Sequence, residues 1–501
     1  LGLVSVGTSV SFETMTNAYL YGTRFMTYLS LRYSPQQLLD WFIRSQDSKA
    51  YYADQFQQVF HIPLDQAWND WIAWEHGFQE ANLKKVHQYP ITPVTPLAPR
   101  ALGSVSRSFL DHGDLIGAFR YPGKLAYVGV LSLQDGKIRH VVDIKGSMKY
   151  IVTSSAYDPA TGTFFYTQNN LDYRDVMEVD IRTGKSRRLM RQARIGDLAF
   201  DPADRSLWGL RTANGYVTLV RIPYPYREWH QVQIFPYGEV PFDLDVSHDG
   251  SMLSLSLAKI TGANFLHLYK TAQLLAGSIT PFATYSFGQA APEGFIFSKD
   301  GRQLYGSSYY TGISNIYRYD IASGKMDALS NIDTGLFRPM QLPDGKLAAL
   351  EYTGQGSLPV EFDPVPLNDL SSINFLGTLV AERHPIVKTW GVGPPSRINL
   401  DSLITHKGVY KPGHAMRLQA HYPVIEGYRG GGALGWHTEL GDTLSLYTLG
   451  IDAAMSVGGP TDHGQRLHLD IDYKAMNWEV RYCHNHADFY DLFGPVRTSL
   501  K

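Results

Sequence analysis

Cysteine is almost absent. Among 501 residues there is one, Cys483, so no disulfide can close within the chain, and the count suits a cytosol and a Gram-negative envelope equally. Charge is sparse as well. Asp, Glu, Lys and Arg make up 18% of the residues, against the ~25% usual for soluble domains. The formal net charge is −2, so no overall field points to nucleic acid or to an anionic membrane. There is no apolar run of about 18 residues, the length a membrane helix needs.

Motifs that carry chemistry are missing too. A zinc-peptidase helix needs two His one turn apart with a Glu base, H-E-x-x-H. Glu75-His76 is followed by Gly77-Phe-Gln-Glu80, with no second His at the required offset. Gly430-Gly-Gly432 does not open a helix followed by Lys-Ser or Lys-Thr, which excludes a phosphate loop. Ser, His and Asp are scattered singly in a chain with 17 His, and no triad can be read without geometry. The chain therefore offers no catalytic residue and calls for no cofactor of its own.

What is present is turns, aromatics and a repeat. Aromatic residues reach 13%, with 32 Tyr. One unit runs from Phe297-Ser-Lys-Asp-Gly-Arg-Gln-Leu-Tyr305 through Asn315-Ile-Tyr-Arg-Tyr-Asp-Ile321 to a Ser-Gly-Lys turn. Asp-Gly between apolar runs is a hairpin signal, because Gly takes positive φ without a Cβ clash. Arg318 and Asp320 alternate with Tyr317, Tyr319 and Ile321, the period of a strand. Related turns begin at Tyr157, Phe200, Val246 and Gln341. In register they begin at 157, 200, 246, 297 and 341, spacings of 43, 46, 51 and 44 residues. Strand–turn–strand units at such a period imply a β-propeller with one four-stranded blade per repeat. About six blades are expected over 104–360, the first at 104–143.

The repeat resembles the TolB-like propeller family, with its "S-x-D-G", "Y-x-x-D" and "T-G" elements, over roughly 104–360. The resemblance implies an envelope protein of a Gram-negative bacterium that binds a protein or peptide. Residues in excess of packing needs, at strand starts and connections, are the rim candidates: Arg174, Asp175, Arg211, Tyr309, Tyr310, Asn315 and Arg338. Solvated loops and hydrogen bonds between blades are the plainer reading of the same residues.

Residues 1–86 read as a helical domain. Ser34-Pro-Gln-Gln37 is a helix start with Pro in the first turn. Apolar stripes through Phe25 and Leu29, Phe56 and Phe60, and Trp68, Trp71 and Trp74 suit a small bundle. The stretch Asn17–Leu29, with Y-S-P-Q-Q-L-L and F-H-I-P-L-D-Q-A-W-N-D-W, resembles the C-terminal helical part of gluzincin metallopeptidases. That resemblance implies a zinc site, H-E-x-x-H, upstream of Leu1 in a longer parent. The start at Leu1 rather than Met fits a fragment. Residues 87–103, rich in Pro, read as an extended connector. Residues 361–404 read as an irregular bridge.

From 405 to 501 the pattern changes to long alternating strands. Leu467, Leu469, Ile471 and Tyr473 alternate with Arg466, His468, Asp470 and Asp472. An incomplete outer-membrane barrel and a half-buried soluble sheet both give this alternation. The segment resembles the start of a surface-antigen-type barrel, with Asp488–Pro495 as a connecting loop. Cys483-His484-Asn485-His486 has metal-like composition. Strand-end polarity is the plain reading; the sharper one makes His484 and His486 metal candidates, on one face of a strand. The fold expected is thus multidomain and mainly β: a small helical N-terminal domain, a propeller of about six blades and a C-terminal antiparallel sheet or partial barrel. The function expected is binding, without catalysis in this chain. A portion of a zinc metallopeptidase is the alternative.

Overall fold

The computed structural model describes residues 12–45, 47–121, 125–144, 155–169, 173–391, 398–429, 431–457, 462–489 and 492. The chain divides into two compact units, 1–395 and 396–501.

The first unit begins with four helices, Phe12–Arg32, Pro35–Phe42, Tyr52–Phe60 and Leu64–Val86. Ser34 caps the second: its Oγ accepts the Gln37 N–H at 3.1 Å, and Pro35 opens the helix. Phe25, Trp41, Phe56, Phe60, Trp68 and Trp71 form their core. The segment expected as an irregular bridge contains a helix, Leu376–Arg383, that packs back on Phe12–Arg32.

Six antiparallel sheets follow. Blade 1 holds an interrupted inner strand, Ser104–Val105 and Phe109–Asp111, then Asp114–Arg120, Tyr127–Ser132 and Ile138–Asp143. Blades 2 to 5 run Ser155–Met190, Ile195–Ile234, Glu239–Gly288 and Pro292–Ala328, four strands each. Blade 6 has three strands from Leu336–Phe362, and its outer strand, Thr95–Pro96, comes from before blade 1. The Pro-rich connector is therefore also a structural strand. Leu97 N–H donates to Pro359 O at 2.8 Å and Leu102 N–H to Ser357 O at 2.8 Å. This seam joins the two ends of the ring. Asn331 fastens the connector further: its amide donates to the carbonyls of Val86, Tyr89 and Pro90 at 3.1, 3.2 and 3.3 Å.

The hydrophobic core lies between blades rather than within them. Six buried clusters each join one neighbouring pair, from blades 1 and 2 round to blades 6 and 1. Strand alternation explains this. Phe164 faces blade 1 and Phe165 faces blade 3; Leu304 faces blade 4 and Tyr305 faces blade 6. Both faces of every blade must be apolar, which accounts for the low charge. The turns are built as their residues suggest. Ser298 Oγ donates to Asp300 Oδ1 at 2.6 Å and accepts the Gln303 N–H at 3.0 Å, with Gly301 at φ 68°. Ser247, Asp249 and Gly250 repeat the arrangement.

The second unit is a five-stranded meander: Arg417–Tyr428, Gly431–Gly441, Tyr447–Ser456, Leu467–Ala475 and Trp478–His484. Register puts Ile425, Leu434, Met455 and Leu467 in one row, and Ile471 and Tyr482 on the same face. The opposite face carries Tyr422, His437, Asp452, Asp470 and Cys483 as a row across all five strands. The expected loop Asp488–Pro495 lies partly outside the described residues. Its first residue exchanges backbone hydrogen bonds with Gly427 on the first strand, at 2.8 and 3.1 Å.

Candidate functional site

Four inner strands break their ladder at one place. In blades 3 to 6 the register shifts between Gly196 and Leu198, Phe242 and Leu244, Glu293 and Ile296, and Phe337 and Met340. Asp197, Asp243, Gly294 and Arg338 stand at these bulges with φ of 41°, 45°, 59° and 52°. Each lies three residues before the start of its turn module, so the bulge belongs to the repeat. A bulge turns a side chain out of the ladder, and here Asp243, Gly294 and Arg338 line the central channel.

The left-handed conformation is free for Gly and tolerable for Asp, but costs Arg on the order of 1 kcal/mol or more. Hydrogen bonds between blades hold the other three bulges in place. The Asp243 N–H donates to the Asp197 carboxylate, and the Gly294 N–H donates to Asp243 Oδ2 at 3.0 Å. Two of the acids are therefore staples between blades. Arg338 is the one bulge residue among the four that is neither Gly nor a natural left-handed former.

Arg107 reaches across the axis from blade 1. Its guanidinium donates to Leu244 O at 2.9 Å and forms an ion pair with Asp245, both in blade 4. Asp245 also accepts the Phe297 N–H at 2.8 Å. The two side chains are 18% and 12% exposed. Beside this bolt the channel retains a cavity of about 60 Å³, room for about two waters, whereas small-molecule sites run to ~300–1,000 Å³.

The mouth on the side of Arg338 joins both signs of charge to aromatic rings. Burial first, and the Asp243 carboxylate second, push the Asp197 carboxyl up to about 6 against the pull of Arg174 and Arg338. Burial also raises Glu293, again with Asp243 adding and Arg338 opposing. Tyr309 lies 5.9 Å from Phe337, ring to ring, and its hydroxyl is raised by burial, then by Glu293 and Tyr352. Tyr309, Tyr310 and Tyr352 are 42%, 55% and 59% exposed.

The residues singled out from sequence divide between two roles. Tyr309 and Arg338 belong to this mouth, and Arg174 lies close enough to act on Asp197; Tyr310, exposed, lies toward Tyr285 and Tyr317. Arg211 is stacked over Trp229 at 4.7 Å. Asp175 and Asn315 are each 1% exposed, which corrects their reading as surface contacts. Asp175 accepts the Gln192 N–H at 2.7 Å; Asn315 accepts from Ser330 Oγ at 3.0 Å and donates to Thr311 Oγ1 at 3.2 Å. Arg107, Asp243, Glu293 and Tyr352 escaped the sequence reading. The constant offset before the turns was the available signal for Asp243.

His484 and His486 do not share a face. Asn485 takes φ 49° and ends the strand; His484 pairs in register with Leu469, on the apolar face, whereas His486 Nδ1 lies 3.0 Å from Asp470 Oδ2. In the helices, Glu75 pairs with Arg24 and accepts from Trp71 Nε1 at 3.1 Å and Gln79 Nε2 at 2.6 Å.

No family model matches the chain, and no curated protein matches it. Solved structures do. The chain is similar to TolB from Acinetobacter baumannii at 14% identity and TM-score 0.39, over 62% of this chain and 72% of that one. A putative TolB from Agrobacterium tumefaciens matches at 11% and 0.37, over 52% and 91%. The β-propeller domain of the Trilobed protease from Pyrococcus furiosus matches at 11% and 0.35, over 55% and 99%. At this level of likeness none of their activities transfers.

Proposed function

We propose that the propeller binds an extended segment of a protein partner across the channel mouth, in the periplasm of a Gram-negative bacterium, and that the five-stranded sheet belongs to an outer-membrane barrel. The observation that carries the binding reading is the strained Arg338, held beside Glu293, which in turn neighbours the exposed Tyr309 with Tyr352 beside it. Tyr and Arg dominate interface hot spots, and strain persists chiefly where a site uses it. The Arg107–Asp245 pair across the channel favours a partner that lies over the mouth. The barrel reading is supported by Leu434, Trp436, Met455, Trp478 and Val480, all more than half exposed on one face of long strands; lipid would cover such a face.

A photo-crosslinking residue at Tyr309 should yield protein adducts in cells, at least tenfold reduced by Arg338→Ala. The same probe at Asp249, on the turn side of the ring, should yield none. Equal adducts from both sides would refute binding at the mouth.

A further inference from the structure

The polar face of the five-stranded sheet brings together a thiol, an imidazole and a carboxylate from three positions. Asp470 and Cys483 are directly paired across adjacent strands. Cys483 Sγ lies 3.5 Å from Asp470 Oδ1, and His486 Nδ1 lies 3.0 Å from Asp470 Oδ2. One donor atom from each residue falls within 4.8 Å of the other two. Among the described residues no other group of three such donors is this close.

The donors lie within reach of one ion. Around tetrahedral zinc, with bonds of ~2.3 Å to sulfur and ~2.0 Å to nitrogen and oxygen, neighbouring donors stand ~3.5 Å apart for S and O and ~3.3 Å for N and O. Cys483 and His486 here approach different oxygens of Asp470, so binding requires the carboxylate to turn toward the shared ion. The protein also holds the third donor in place. Asn485 turns the chain with its left-handed φ of 49°. Its amide donates to Leu467 O at 3.0 Å and Gly464 O at 3.3 Å, and its carbonyl accepts from His468 Nδ1 at 2.6 Å. Beyond His486, the backbone of Asp488 is tied to the first strand. His486 is thus brought back over the face that Cys483 and Asp470 occupy.

We propose that Asp470, Cys483 and His486 form a three-ligand site for a divalent transition metal of the zinc class. Sulfur, nitrogen and oxygen donors together suit zinc and cobalt better than calcium or magnesium, which take oxygen alone. Three protein ligands leave one position open to water or to a further ligand. Arg481 is the competitor: its guanidinium grips both Asp470 oxygens, with Nε at 2.9 and 3.2 Å. The site therefore exchanges an ion pair for a metal.

Cobalt(II) chloride added to the reduced full chain tests this. The expected result is a thiolate-to-cobalt charge-transfer band that saturates at one equivalent and is displaced by zinc. His486→Gln should weaken binding at least tenfold, and His484→Gln should leave it unchanged. Arg481→Gln, which frees the carboxylate, should tighten it. Absence of the band, equal loss in the two histidine variants, or weaker binding in Arg481→Gln would each overturn the site. Cys483 and His486 are exposed side chains, and Cys483→Ser serves as the blank for the band.

Discussion

The charges in the propeller channel show how one residue can serve as both staple and liability. Asp197 accepts the Asp243 N–H, yet its carboxyl is raised to about 6 by burial and by its acidic neighbour. A carboxyl whose folded pKa exceeds its unfolded value costs stability when ionised. The cost is absent near pH 4 and complete above about pH 6. Asn would accept the same N–H and tolerates the left-handed backbone. Asp197→Asn should therefore raise the unfolding temperature at pH 7.5 by a few degrees, about 1 kcal/mol after allowance for screening. The gain should vanish toward pH 4. Thermal unfolding followed by circular dichroism at both pH values decides it, and a loss of stability at pH 7.5 would show that the staple outweighs the charge. Arg107 is the opposite case. Removing one member of a buried pair strands the other, typically at ~3–5 kcal/mol, so the bolt and Asp245 stand or fall together.

Among the elements, the seam of the ring is where the fold is most constrained. Gly356 has φ 117°, and a Cβ there would meet Gly103 Cα, N and O at 2.5, 2.7 and 2.8 Å. The strand Gly356–Phe362 and the chain entering blade 1 touch backbone to backbone, with Ser357 N–H donating to Gly103 O at 2.8 Å. Gly356→Ala should cost about 3 kcal/mol and lower the melting temperature by roughly 6–12 °C. Gly354, two residues away, has open space around its Cα, so Gly354→Ala should leave the melt unchanged. Equal melts for the two variants would mean that the ring does not close through this seam. The short strand Thr95–Pro96 matters for the same reason. It covers the edge of blade 6 and joins the two ends of a wheel whose cohesion lies between its blades.

At the scale of the molecule, the two units bury apolar surface by different means. The propeller hides it between blades, whereas the meander leaves Trp436 and Trp478 52% and 77% exposed. A barrel reading requires that lipid cover them. In vesicles containing brominated lipid, tryptophan fluorescence of the full chain should be quenched, and Trp436→Phe with Trp478→Phe should remove most of that quenching. Quenching that survives both substitutions, or none in the parent chain, would argue for a soluble sheet.

Several features were decided locally and could be read along the chain. The Asp-Gly turns, the forty-odd residue period and the alternation of Tyr and Ile with polar residues rest on neighbours a few positions apart, so the blades were legible. The helix start at Ser34 was legible for the same reason. The mouth was not. Arg107 meets Asp245 across the ring, Glu293 meets Arg338 from the next blade, and no spacing of residues encodes that approach. His484 and His486 looked paired by sequence period, but a single left-handed Asn485 put them apart and placed His486 beside Asp470. Repeating turns and periodicity set what each strand became; closure of the wheel and curvature of the sheet set which side chains met, because contacts between distant segments exist only once the backbone has folded.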